Sequence, residues 1–166
     1  FRRVLFRSKI TIAALLTLGF GASNAMAASD TGTAEATVVK QITISKTQDL
    51  GFGGMLQSGT GGTITISPAD GTVTPSGVQT TGATATRGEF FVDGDPNRAY
   101  TTTLDPTVTL FGGFGASPMT ADLTQDSNGA LILFGSDVIF IGGTLNVGVN
   151  QSPGAYTGSF NVTVDY

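Results

Sequence analysis

The chain has 166 residues with eight basic and twelve acidic side chains, a net charge of −4, and no His, Cys or Trp. Without His or Cys, the Ser-His-Asp triad, the Cys-His dyad, disulfides and the common zinc sites are excluded, and most hydrolase mechanisms go with them. Only 12% of the residues are charged, and 24 glycines and many threonines and valines favour strands joined by tight turns.

Arg2 to Ala27 reads as a bacterial secretion signal. Arg2, Arg3, Arg7 and Lys9 supply a positive front, Ile10 to Phe20 is an apolar run, and Ala25-Met26-Ala27 is a small-x-small cleavage site. Eleven apolar residues are too short to span a bilayer comfortably. The expectation is a cleaved signal over residues 1–27 and export to the periplasm, the cell surface or the medium. The chain opens on Phe1 rather than Met, which reads as a fragment or a foreign start.

Removing residues 1–27 leaves 139, enough for one domain with its own core. The mature part keeps Lys40, Lys46, Arg87 and Arg98 against all twelve acids, a net charge of −8. Nucleic acid needs a basic footprint, so no such partner is expected, and anionic membranes are disfavoured for the same reason. No second long apolar stretch follows, so the mature chain should carry no transmembrane segment.

Residues 28–37 (ASDTGTAEAT) are small and polar and read as a flexible lead into a domain over 38–166. From there period-two alternation dominates. Val38 to Ile44 is a first strand. Thr63 to Ile66 and Thr72 to Thr74 flank Ser67-Pro68-Ala69-Asp70-Gly71, a hairpin with its turn chemistry built in. Glu89 to Val92 and Tyr100 to Leu104 flank Asp93-Gly94-Asp95-Pro96-Asn97 and read as a second hairpin. Further strands are expected at Val108 to Leu110, Met119 to Leu123, Ala130 to Phe134, Val138 to Ile141 and Thr144 to Val147. The last, Tyr156 to Tyr166, sends Phe160, Val162, Val164 and Tyr166 to one face. Many short strands with frequent turns specify an all-β sandwich. Its expected core is Val38, Ile42, Ile44, Phe52, Ile64, Ile66, Phe90, Val92, Tyr100, Leu104, Leu123, Leu145, Phe160, Val162 and Val164.

The motifs that carry chemistry elsewhere are incomplete here. Asp30-Thr31-Gly32 matches half of an aspartic-protease dyad, with no second copy to share a proton. Asp93-x-Asp95-x-Asn97 opens like a calcium loop but lacks the Gly and Glu that close one, and reads as a turn. Glu35 and Glu89 are the only glutamates, and the aspartates sit mostly in turns, so a glycosidase pair is not indicated. Gly51 to Gly54 and Gly112 to Gly115 open no helix and are not phosphate cradles. No catalytic residue, cofactor or metal site is assigned, and the chain reads as a non-enzyme.

Three stretches carry a family resemblance: Ile42 to Gly53 (ITISKTQDLGFG), Gly62 to Ile66 (GTITI), and Phe91 to Pro96 running on to Tyr100. The close, Gly142 to Val147 followed by Gly154-Ala155-Tyr156-Thr157-Gly158-Ser159-Phe160 to Val164, carries it too. Together they resemble a secreted bacterial family known as domain of unknown function 4402. More distantly, Leu50-Gly51-Phe52-Gly53, the Gly154-x-Tyr156 turn and the aromatic end at Tyr166 resemble subunits of chaperone–usher fimbriae and spore-coat-U-type pilins. The likeness departs in two places: many pilins hold a disulfide, and Ala34 and Ala36 are smaller than usual donor side chains.

The resemblance implies a single Greek-key, immunoglobulin-like β-sandwich that is pilin-like. It further implies a structural subunit that assembles by strand addition, with a periplasmic chaperone and an outer-membrane usher as partners. On that reading residues 28–39 are the donor, with Ala34, Ala36 and Val38 in the acceptor groove and Phe160, Val162, Val164 and Tyr166 on the acceptor's last strand. The alternative is a complete sandwich acting as an adhesion or ligand-binding module through Phe111 to Pro118 or Asp93 to Arg98. The two differ in whether the sandwich lacks a strand.

Overall fold

The computed structural model describes residues 27–126 and 131–166. The expected signal, residues 1–27, lies outside the described residues except for Ala27, as does Ala130 of the strand expected at Ala130 to Phe134. The chain divides into two compact units, Phe1–Ala36 and Thr37–Tyr166. Of the first, residues 27–36 are exposed and irregular.

The second unit is all-β, with sheets that do not close into a barrel. Its strands in chain order are β1 (Thr43–Gln48), β2 (Gly62–Ile66), β3 (Val73–Ser76), β4 (Gly88–Asp93), β5 (Arg98–Ala99), β6 (Thr101–Leu104), β7 (Thr107–Leu110), β8 (Met119–Gln125), β9 (Leu131–Ile132), β10 (Ser136–Val147) and β11 (Val162–Asp165). A 3-10 turn, Leu133–Gly135, leads into β10. Among the described residues no helix is long and apolar enough to cross a membrane.

β10 is the spine. Ile141 pairs with Gly88 on one edge and Gln125 on the other, and Gly143 pairs with Ile66 and Leu123 in the same manner. One edge of β10 therefore takes β4 along Ser136 to Ile141 and β2 along Gly143 to Val147, while β8 runs along the other. The two strands expected at Val138 to Ile141 and Thr144 to Val147 are thus one. Its joint is Gly142-Gly143, where backbones crowd: a Cβ on Gly142 would lie 2.2 Å from the Ile66 carbonyl oxygen.

The hairpin at Ser67 to Gly71 forms as its sequence specifies. The Ser67 N–H donates to the Thr72 carbonyl at 2.9 Å, Gly71 takes φ 75°, and Asp70 accepts from both the amide and the hydroxyl of Thr72. Arg87 donates to the Pro68 and Ala69 carbonyls and tethers the turn to the sheet. Pro75 sits in β3, the outermost strand on that side, where a missing N–H costs least.

The hairpin expected across Asp93 to Asn97 does not form. β4 pairs with β1 and β10, whereas β6 pairs with β11. The loop is a crossover between sheets, turned by a 3.3 Å bond from the Arg98 N–H to the Asp95 carbonyl, with Asn97 at φ 59°. Turn residues specify that the chain bends; the strands that bury most apolar surface together decide where it goes next.

Two clusters form the core. In the first, Ile64, Ile66, Val108, Met119, Ala121, Leu123, Leu145 and Val147 from the sheet meet Phe52 and Val78. In the second, Val92, Ile139 and Ile141 of the sheet meet Tyr100, with Val162 and Val164 of β11 packed against them. Leu104 and Phe160 touch both. Full burial of Ile64, Ile66, Ile139, Ile141, Leu145 and Val92 contributes about 1.5–3 kcal/mol apiece before entropy is counted. The Tyr100 hydroxyl donates to Asp137 Oδ2 at 2.8 Å; its burial, then that carboxylate, raise the phenol pKa well above its ordinary value.

One expected core residue is not in the core. Val38 is 95% exposed, because the first strand, expected at Val38 to Ile44, begins its pairing only at Thr43. Ile42, Ile44, Phe90, Phe160, Val162 and Val164 are half-buried.

Candidate functional site

The first and last strands are both edges. β1 ends the path of the large sheet, with β4 as its one partner, and β11 pairs only with β6 among the described residues. Beyond β1 the chain continues along its neighbour through bridges from Gly51 to Thr86 and from Met55 to Thr80. Before β11, Thr157 bridges to Phe111. What lies between the two runs is a groove.

The groove has a volume of about 500 Å3. Residues 50–57 form one wall and residues 151–156 the other. Its floor is core: Met119, Leu145 and Val147, joined by the half-buried Leu110, reach its surface. Those side chains come from β8, β10 and β7, whose alternation turns them inward at this end of the sandwich. Leu50, Phe52, Met55 and Leu56 supply the near wall, which the glycines among them let lie close to its neighbours. Gly53 takes φ 71°, and a Cβ there would meet the Ala83 carbonyl at 2.7 Å.

Polar side chains order the rim. Gln57 Nε2 donates to the Gln151 carbonyl at 3.2 Å, spanning the two walls. Gln151 Nε2 donates to the Tyr156 hydroxyl at 2.8 Å, which in turn donates to the Ser152 carbonyl at 2.8 Å. The Tyr156 ring rests on Gly112, where a Cβ would lie 2.6 Å from it. No lining residue carries a charge. Such a slot can bury apolar side chains of a ligand between two irregular walls.

The expected assembly residues are distributed as follows. Ala34 and Ala36 lie in the exposed, irregular stretch 27–36, and Val38 is exposed. Phe160, Val162 and Val164 share one face, packed against the second core cluster with Ile44 and Val92. Tyr166 belongs to the far end: its hydroxyl accepts from the Asp95 N–H, and Arg98 lies 4.9 Å over its ring. Residues 50–57 and 151–156 were not assigned to a site by sequence reasoning. The available signal was Leu50, Phe52, Met55 and Leu56 crowded into a stretch without charge, which a solvated loop would not need.

In the Asp93 to Arg98 loop, Asp93 pairs with Lys40 at 2.7 Å. Among the described residues no group of three His, Cys, Asp or Glu is arranged to hold a metal.

The fold defines an all-β, sandwich-type domain. Residues 42–166, three quarters of the chain, match the family model described as Domain of unknown function (DUF4402), and the chain belongs to that family. No curated protein and no solved structure matches it.

Proposed function

We propose that the protein is an exported, non-catalytic structural subunit of pilin type, which assembles by accepting a strand from a second copy into the groove between residues 50–57 and 151–156. One observation carries this reading: the groove floor is made by Met119, Leu145 and Val147 of the domain's own core, between walls, residues 50–57 and 151–156, that form no regular strand of their own. A complete sandwich covers that floor with its own strand. An added strand would bury the half-buried Leu50, Met55 and Leu110 further and pair with the backbone of the walls, which is the physics of strand addition.

Residues 28–39 are the donor on this reading. They hold no large apolar side chain before Val38, and Ala34, Ala36 and Val38 alternate as a strand requires. A periplasmic chaperone would shield the groove before assembly, and an usher would export the subunit. The second reading, a self-contained adhesion module, draws on the exposure of Phe111 and Phe114 in the loop Phe111 to Pro118.

The test is light-scattering mass on the exported chain, alone and with residues 28–37 deleted. Polymers that resist mild detergent and vanish on deletion are the expected result. A stable monomer with the segment intact would end the proposal.

A further inference from the structure

The groove opens at one end of the sandwich, and that end is built from three loops with an unusual composition. Residues 50–60, 110–119 and 147–158 contain no charged side chain, in a chain whose part after residue 27 carries −8. They form one surface. The Asn150 N–H donates to the Ser58 carbonyl at 2.8 Å, Gln151 donates to the Ser117 carbonyl, and Phe111 bridges to Thr157. On it stand Leu56, Phe111, Phe114 and Val149, each more than half exposed and Phe114 wholly so. Clustered apolar exposure of this kind marks a contact surface rather than scattered surface residues.

The opposite end carries the Asp93 crossover, the start of β1 at Thr43 facing Asp93, and Phe134. Phe134 is 96% exposed and held at φ 58°. A side chain other than Gly in the left-handed region costs about 1–2 kcal/mol, and among the described residues the Phe134 ring stays exposed.

We propose that the uncharged end of one copy seats on the Phe134 end of the next, with Phe111 and Phe114 meeting Phe134 around the entering strand. This rests on the strand-addition reading, which sets the direction. A donor preceding β1 leaves its own domain at the Asp93 end and must reach a groove that opens at the other end of its neighbour. With Val38 in the groove, the five residue steps from Val38 to Thr43 reach at most about 18 Å, so the two ends are forced together. Charge selects the same contact, because copies that repel elsewhere approach with least cost over the uncharged loops. The contact is head-to-tail and generates an open filament rather than a closed dimer.

The experiment places photo-reactive benzoylphenylalanine at position 114 of the exported full chain, illuminates it and identifies the adduct. The expected product is a copy-to-copy crosslink mapping near Phe134. In parallel, Phe111→Ser with Phe114→Ser should weaken association on the order of a hundredfold with an unchanged melting temperature, since both rings are exposed in the monomer. Polymers without a copy-to-copy adduct would overturn the seating and leave strand addition standing. A monomer whose adduct is lipid, glycan or another protein would overturn both.

Discussion

The amide of Gln57 bridges the two walls of the groove by donating to the Gln151 carbonyl at 3.2 Å. The bond links residues 50–57 to residues 151–156 directly, and on the strand-addition reading an entering strand would have to displace it. A net hydrogen bond of this type is worth about 0.5–1.5 kcal/mol. Gln57→Ala should leave the melting temperature within about 2 °C of the parent and speed strand uptake several-fold. Uptake of a labelled 28–39 peptide, followed by fluorescence anisotropy, checks it; a slower variant would mean that Gln57 holds the groove open instead.

Ala155 lines the groove and is itself exposed. Ala155→Trp adds an indole to the slot without entering the core, so the domain should fold and melt as before. Assembly should be lost. Full-length polymers from this variant, seen by light scattering, would show that the strand enters elsewhere.

Gly142 carries the joint of β10, and its Cβ position lies 2.2 Å from the Ile66 carbonyl oxygen and 2.7 Å from the Pro68 nitrogen. Both are backbone atoms, so a methyl group cannot be accommodated by a rotamer change. Gly142→Ala should cost about 1–3 kcal/mol, the range for overpacked sites, and shift the register of Ile66 against Gly143. Denaturant unfolding checks the magnitude. Wild-type stability would show that β2 moves aside freely.

Asp70 has its carboxyl held down to about 2, by the Ser67 hydroxyl first and then by the hydroxyl and amide of Thr72. A depressed carboxyl stabilises the fold above its ordinary value near 3.8, and that contribution is lost as pH falls through about 2. The turn is exposed, so the effect on global stability is small and the local titration is the useful readout. Ser67→Ala should raise the Asp70 midpoint toward the ordinary value in a carboxyl-carbon NMR titration. An unmoved midpoint would put the whole shift on Thr72.

Much of this protein was legible before its structure. Alternation along Thr63 to Ile66 and Phe160 to Val164 gave the inward faces, because a strand's side chains point to opposite sides by geometry alone. Ser67 to Gly71 gave its turn, because Asp and Gly satisfy that backbone locally. The absence of His and Cys bounded the chemistry without any fold. The second hairpin was misread at Asp93 to Asn97, since a turn motif is silent about which strand follows it as a neighbour.

Pairing belongs to the tertiary structure. Whether Tyr100 to Leu104 joins β4 or β11, and whether Val38 is covered or bare, depends on contacts between residues far apart in the chain. The groove is of the same kind: it is a space between residues 50–57 and 151–156, and no single segment encodes it. Sequence by itself determined which side chains avoid water. Only the fold decided which of them, Met119, Leu145 and Val147 among them, were left at the floor of an open slot.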